Sequence, residues 1–226
     1  MDSARANYIA DFAGRATLIV LFGFLATNKT MVIVNLLRDP AGPRFLDIAV
    51  TLAGIAFAVL VLGMTIMRFA PIRRAEGLEP RISAIAGTGL AMVIVVLPRA
   101  DIGPGLNIFG LILIMIGWIL SACVLLWLGR AFSVMAQARR LVTSGPYAIV
   151  RHPLYLSEEI AVLGVALIHL SVAAGLIVIV HWLFQLRRMT NEETVLRATF
   201  SDYNSYAKQT PKIIPRLLPK ASLEYS

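Results

Sequence analysis

Thiols, charge and histidine are what this chain has least of. Among its 226 residues there is one cysteine, Cys123, so an intrachain disulfide is excluded. Cys123 lies within an apolar run and reads as a small buried apolar residue, not a reactive thiol. Only 15% of the residues are charged, too few to clothe a water-soluble domain of this length. Two of the three histidines, His169 and His181, fall on separate expected helices with no carboxylate or cysteine at ligand spacing, so no metal site is expected. No internal repeat and no low-complexity segment is present. The N-terminal residues Asp2, Arg5, Asp11 and Arg15 are not followed by a short apolar stretch and a small-residue cleavage site, so a cleaved signal peptide is not expected. Residue 2 is Asp and the sequence closes on Leu223-Glu224-Tyr225-Ser226, which fits no lipidation signal.

What the chain has in excess is hydrocarbon. It is 58% apolar with a mean hydropathy of +0.77, the composition of an integral membrane protein. The net charge of +8 and pI of about 10.1 do not point to nucleic acid, because Lys and Arg are confined to the gaps between apolar runs. Such a distribution is that of loop charge at an anionic membrane leaflet.

A spanning helix needs about 20 mostly apolar residues. Runs of that kind stand at 15–36, 45–69, 83–98 and 106–128, the first interrupted by Asn28-Lys29-Thr30, a glycosylation sequon that such a short pattern produces by chance. From 155 to 187 the sequence is again apolar. One helix of that length would reach about 48 Å, well beyond a hydrocarbon core of about 30 Å. A bend at Ser171 to Gly175 is therefore expected, giving antiparallel helices over 155–170 and 172–199. The fold expected is all-α and polytopic, with five to six transmembrane helices. Residues 1–130 form a helical scaffold and 131–226 carry the chemistry. The loops at 68–82 and 129–152 and the tail after 186 hold most of the Lys and Arg, which puts them and both termini in the cytoplasm. Gly87-Thr88-Gly89 reads as helix packing through small residues, and Trp118, Trp127 and Trp182 as core or interface anchors.

Polar chemistry gathers at both ends of the last apolar span. Gly145-Pro146-Tyr147 and Arg151-His152-Pro153-Leu154-Tyr155 precede it, and Arg188-Met189-Thr190-Asn191-Glu192-Glu193 closes it. Ionisable groups in membrane segments usually mark a site. Proline disfavours helix in the residue before it, so His152 should be extended just ahead of a helix starting near Pro153. The unpaired amides at such a helix start suit a ligand carboxylate or ribose hydroxyl. The same tripeptide is also compatible with a capped helix start beside a snorkelling arginine. Arg188 and Glu192 share a helical face at i, i+4, which fits either an exposed ion pair or a carboxylate-binding fork beside an acceptor for a ribose or ammonium.

These strings resemble the isoprenylcysteine carboxyl methyltransferase family and its phospholipid methyltransferase relatives. The resemblance covers about residues 128–216 and includes Leu141-Val142-Thr143-Ser144, Phe200, Tyr203, Tyr206 and Thr210-Pro211-Lys212-Ile213-Ile214-Pro215. It implies a methyltransferase with S-adenosylmethionine in a cytoplasm-facing pocket of the C-terminal region. By position, Leu141, Val142, Tyr147, His152, Pro153, Leu154 and Tyr155 would line the cofactor pocket. Glu192 would hold the cofactor from the last helix, and Arg188 would meet the substrate carboxylate. Two positions depart from the family: Ser157 replaces a common glycine, which would reshape the lipid entrance, and Arg139 stands where eukaryotic members have histidine. Tyr203 and Tyr206 are expected to pin the tail.

The acceptor implied is a lipophilic small molecule or a prenylated cysteine, entering sideways from the membrane. A carboxylate is ionised at neutral pH and needs no base. A phospholipid amine would need one, for which Glu158, Glu159 and Glu193 are candidates. An NADPH-dependent membrane reductase and a non-catalytic scaffold are the readings from other classes.

Overall fold

The computed structural model describes residues 3–40 and 44–215. Asp2, the side chains of Arg5 and Asp11, and the terminal Leu223-Glu224-Tyr225-Ser226 lie outside the described residues.

The apolar runs are helices: α1 (Ser3–Leu37), α2 (Phe45–Met67), α3 (Glu79–Ile94), α4 (Gly103–Leu128), α6 (Pro153–Ile168) and α7 (Val172–Thr199), with short α5 (Pro146–Ile149) and α8 (Tyr203–Gln209) beside the last two. Four of them, α1, α2, α4 and α7, contain segments long and apolar enough to cross a bilayer. At 16 residues each, α3 and α6 reach about 24 Å and fall short of a full hydrocarbon core by themselves. The protein is an all-α polytopic membrane protein, and its large exposed apolar side chains, such as Phe24, Leu52, Ile119 and Leu183, form the surface that lipid would cover.

The bend in the last apolar span falls at His169 to Ser171. Ser171 caps α7 by accepting the Ala174 amide at 3.1 Å, and His169 Nδ1 lies 2.7 Å from the Leu97 carbonyl. The Ala100 amide donates to the Ile168 carbonyl across the same turn. Gly175 is not at the bend itself: it lies in the first turn of α7, where its amide donates to the Ser171 carbonyl at 3.0 Å.

Although joined by a tight turn, α6 and α7 rest mainly on other helices. On α4, Gly110 and Gly117 let the helix press against Gly164 and Ala161 of α6: a Cβ on Gly117 would stand 2.5 Å from the Ala161 nitrogen. Ser157, expected at the lipid entrance, instead sits inside this seam, where it accepts from Ser121 at 2.9 Å and donates to the Leu154 carbonyl. Helix α7 lies along α3, with Ala174 against Ile94. A Cβ on Gly87 would stand 2.8 Å from Arg188 Cδ, so the small residue there serves packing, whereas Gly89 meets nothing within 4 Å.

Two short strands, β1 (Arg73–Arg74) and β2 (Gln137–Ala138), pair antiparallel and zip the two basic loops together at one end of the bundle. Arg130 adds a bond from Nε to the Met67 carbonyl at 2.7 Å. Cys123 corrects its expected placement: it is exposed, on a face of α4 turned away from the core. Asn28 and Thr30 do not interrupt α1, because their side chains donate to the carbonyls four residues earlier and so do not compete with the helix.

Candidate active site

At the end of the bundle where the loops are zipped, the start of α6 meets the end of α7. His152 takes the non-helical N-cap position (φ −126°, ψ 59°) with Pro153 as the first helical residue, as the proline rule requires. The first amide of α6 to find a helical acceptor is that of Leu156, to the His152 carbonyl, so the preceding turn keeps unpaired donors. The turn before it depends on Gly145, whose φ of +59° is open to few side chains and whose Cα lies flat under Trp127.

The tail is laced onto this turn. The Arg151 amide donates to the Pro211 carbonyl at 2.8 Å and the His152 amide to the Lys212 carbonyl at 3.2 Å. Arg151 Nη1 reaches the Ala207 carbonyl. Tyr206 donates its hydroxyl to the Tyr147 carbonyl at 2.6 Å, so the expected pinning of the tail falls on the cofactor loop itself. Burial, opposed by Arg151, pushes the Tyr206 phenol up to about 12. Burial and then Glu192 push Tyr147 well above its ordinary range. Both phenols are therefore protonated donors at any physiological pH.

Glu193 is the knot of the site, a role the sequence did not single out. Its Oε1 is 3.0 Å from His152 Nε2 and 3.3 Å from Arg151 Nη2, and its Oε2 accepts from Arg197 at 2.8 Å. The neighbouring Glu192 is turned the other way, about 100° around the helix, and accepts from the Tyr155 hydroxyl at 3.2 Å. Adjacent glutamates divide into one that binds the fold and one that faces space, and sequence spacing alone cannot say which is which.

Arg188 and Glu192 do not form the i, i+4 ion pair that spacing allowed. Arg188 is buried, with Nη1 donating to Gln185 Oε1 at 2.7 Å and Nη2 to the Val134 carbonyl at 3.1 Å, while its guanidinium stands 5.0 Å from the centre of the Tyr155 ring. Its Nε has no partner among the described residues. Gln185, three residues before Arg188, is the positioning residue the sequence reading passed over, although an i, i+3 amide is the usual neighbour of such a side chain. Gln185 in turn donates to Glu159 Oε1 at 3.3 Å, which also meets His181 Nε2 at 2.8 Å. The bend folds α7 back so that residue 181 meets residue 159, a pairing that sequence spacing does not show. Among the described residues no cluster of three or more His, Cys, Asp or Glu side chains is arranged for a metal.

A cavity of about 510 Å³ opens between these helices. Leu141, Val142, Tyr147, His152, Leu154, Tyr155, Arg188 and Glu192 all line it; Pro153 does not, and starts the helix behind them. Arg139 is buried beside Gln137, to which it donates, and is not on the cavity wall. Glu158 lines the cavity as well, whereas Glu159 and Glu193 do not.

Comparison with known proteins finds relatives in sequence. The phospholipid methyltransferase family profile matches residues 106–203, the segment from α4 to the start of α8. The protein-S-isoprenylcysteine O-methyltransferase of Schizosaccharomyces pombe is 37% identical over 111 residues, covering 46% of this chain and 47% of that one. This chain is therefore similar in sequence, over about half its length, to isoprenylcysteine methyltransferases. An Arabidopsis thaliana relative, protein-S-isoprenylcysteine O-methyltransferase B, is 34% identical over 114 residues, 47% of this chain and 58% of its own. The nickel-cobalt-cadmium resistance protein NccN of Alcaligenes xylosoxydans xylosoxydans is 30% identical over 82 residues, 36% of this chain and 38% of its own. The chain thus spans about half, or less, of the length of these relatives, and the family profile covers the segment that carries Tyr147, His152, Tyr155, Arg188 and Glu192.

Proposed function

We propose that this protein is a membrane methyltransferase that uses S-adenosylmethionine to methylate the carboxylate of a lipophilic acceptor of the isoprenylcysteine type, with its site on the cytoplasmic side. The observation that carries the reading is the meeting of two distant segments on one cavity wall: Tyr147 of α5 with His152 and Tyr155 at the start of α6, and Arg188 and Glu192 from α7.

The residues present fit the cofactor. A cationic ligand asks for acceptors and ring faces, and the wall offers the Glu192 carboxylate beside the phenols of Tyr147 and Tyr155. The unpaired first amides of α6 suit the ligand's carboxylate or ribose, with Leu141, Val142, Leu154 and His152 forming the surrounding wall. Once bound, S-adenosylmethionine would supply an electrophilic methyl group on a sulfonium.

Arg188 would hold the acceptor. Its two terminal nitrogens each donate one bond, to Gln185 and Val134, and its Nε is buried without a partner among the described residues, so a carboxylate at Nε would satisfy that donor. No base is required, because the acceptor is already ionised. The apolar wall excludes water, and bringing opposite charges together in a dry site favours a step in which both are lost. The rest of the acceleration comes from alignment.

A single observation favours a second reading, methylation of a phospholipid amine. Of the three candidate bases, Glu193 is held by Arg151, His152 and Arg197 and Glu159 by His181 and Gln185, whereas Glu158 faces the cavity with no hydrogen-bond partner among the described residues. Glu158→Gln should abolish transfer to an amine and spare transfer to a carboxylate; Arg188→Met should do the reverse.

Thermal unfolding of the purified protein with S-adenosylhomocysteine tests the reading as a whole. A rise in Tm that is lost in Glu192→Ala and His152→Ala is expected. No rise for the unaltered protein, with a rise given by NADPH instead, would favour a reductase.

A further inference from the structure

The methyl-transfer end accounts for only part of the cavity. The same space continues along α1 and α2, where Asn28, Lys29, Asp47 and Thr51 line it together with Trp118 of α4 and Arg99 of the loop before it. Lys29 lies about 12 Å inside the Leu37 end of α1 at 1.5 Å per residue, deep enough that its ammonium belongs to the interior of the bundle.

Three features hold the lysine in the cavity. Gly54 of α2 forms its seat: a Cβ there would stand 2.9 Å from Nζ and 3.0 Å from Cε, so any side chain would displace the lysine stem. Trp118 covers it, with the ring centre 5.8 Å from Nζ, inside the range of a cation–π contact. Phe57 in turn props Trp118 at 4.8 Å between ring centres. What the lysine lacks is a counter-charge. Asp47, an acid on the same stretch of wall, is taken by Arg99 at 3.4 Å, and the Thr51 hydroxyl donates to the Asp47 carbonyl. Among the described residues no carboxylate lies within ion-pair distance of Lys29. An ammonium in a membrane interior is costly, and such groups face the bundle interior where they meet a ligand.

We propose that Lys29, seated on Gly54 and covered by Trp118, binds an anionic group, a carboxylate or phosphate, at the end of the lipophilic acceptor remote from the methylated carboxylate. The proposal rests on the methyltransferase reading for which end is methylated. It narrows the lipophilic carboxylate of that reading to amphipaths charged at both ends and sets the acceptor apart from isoprenylcysteine itself, whose plain hydrocarbon tail would place methylenes against the ammonium. Arg188 and Lys29 then act as two cationic stops on one apolar slot.

The test is binding to the full-length protein in detergent micelles, followed by calorimetry. The probes are saturated α,ω-dicarboxylic acids of increasing length, each paired with the monocarboxylic acid of equal length. The best diacid should bind about tenfold or more tighter than its monoacid. Lys29→Met should bring the two to equality, and Lys29→Arg should keep most of the difference. If Lys29→Met does not fold, Gly54→Ala serves in its place, since it removes the seat and keeps the charge; it too should erase the preference. A monoacid that loses affinity in Lys29→Met and not in Arg188→Met also overturns the proposal, because it puts a free fatty acid on Lys29 in place of the acceptor's far end. Equal binding of diacid and monoacid by the unaltered protein overturns the proposal, as does a diacid preference that survives Lys29→Met. S-adenosylhomocysteine titrated into the same samples separates the two readings: its failure to bind the unaltered protein would sink the methyltransferase assignment, whereas the acid series involves no cofactor and reports on Lys29 alone.

Discussion

The seam between α4 and α6 and the pair α1 and α2 enclose the same cavity by opposite means. On the seam, Gly110, Gly117 and Gly164 bring backbone against backbone, and Ser121 bonds to Ser157 across it. On the other wall, Gly14, Gly23 and Gly63 meet nothing within 4 Å, and the polar side chains of Thr27, Asn28 and Thr30 bond back to their own helix. The first wall is fixed by close contact and by hydrogen bonds between elements; the second is fixed mainly by apolar packing such as Phe22 and Leu18 against the central cluster. In a bilayer, where lipid is as apolar as leucine, close approach and interhelical hydrogen bonds are what hold helices in one arrangement. Residues that must be aligned to within an ångström therefore belong on the first wall, and the groups proposed to bind the cofactor and the acceptor carboxylate are reached from it.

The largest effect should come from the knot that ties α7 to the start of α6. Glu193→Ala leaves His152 and Arg151 facing each other with no carboxylate between them, and both are well buried. Breaking a buried ion pair by removing one partner costs about 3–5 kcal/mol, so unfolding in mixed micelles should shift by that order and S-adenosylhomocysteine should no longer raise the Tm. Glu193→Gln, which can still accept one bond, should lose less. A Glu193→Ala protein of unchanged stability would show that the knot is not what joins the two segments.

Gly117→Ala comes next. The added methyl would stand 2.5 Å from the Ala161 nitrogen, a backbone atom that cannot step aside, so the seam must open. Overpacking of this kind costs about 1–3 kcal/mol. The same opening would move Tyr155 relative to Arg188, and a loss of ligand affinity out of proportion to the loss of stability is expected.

How much of this was legible in the sequence follows from the same division. Helix positions, the bend at Ser171 and the N-cap geometry of His152 depend on hydropathy and on proline, both local signals, and the chain shows them plainly. Of the residues that the resemblance assigned to the cofactor and the acceptor, all but Pro153 line the cavity, because they cluster on two short strings. What could not be read were the pairings between strings. Glu159 meets His181, Arg188 turns to Gln185 and Val134, and Ser157 enters the seam only because α6 leans on α4 and α7 on α3. Cys123 shows the same limit: hydropathy places a residue in an apolar run but does not say whether protein or lipid faces it.

Tyr206→Phe should have a smaller effect. It removes one hydroxyl that donates to the Tyr147 carbonyl at 2.6 Å and leaves the ring in place, a loss of about 1 kcal/mol. The pH dependence has a definite sign. The phenol titrates near 10 in an unfolded chain and is pushed up to about 12 in the folded one, so the folded state holds the proton more tightly. Its contribution is complete below pH 10 and is lost as pH rises from 10 to about 12. The unaltered protein should therefore lose stability over that window more steeply than Tyr206→Phe, as measured by unfolding at a series of pH values.

The smallest effect, and the one that isolates the comparison, is Gly63→Ala in α2. It is the same chemical change as Gly117→Ala, in a helix of similar apolarity, but a Cβ at Gly63 meets nothing within 4 Å. Replacing glycine by alanine inside a helix favours the helix by up to about 1 kcal/mol. Stability should therefore stay the same or rise slightly, with S-adenosylhomocysteine affinity unchanged. The two substitutions differ only in what the methyl encounters, so their opposite signs would measure backbone contact on the seam directly. If Gly63→Ala destabilised the protein as much as Gly117→Ala, helix α2 would have to be held as closely as α6, and the two walls would be alike after all.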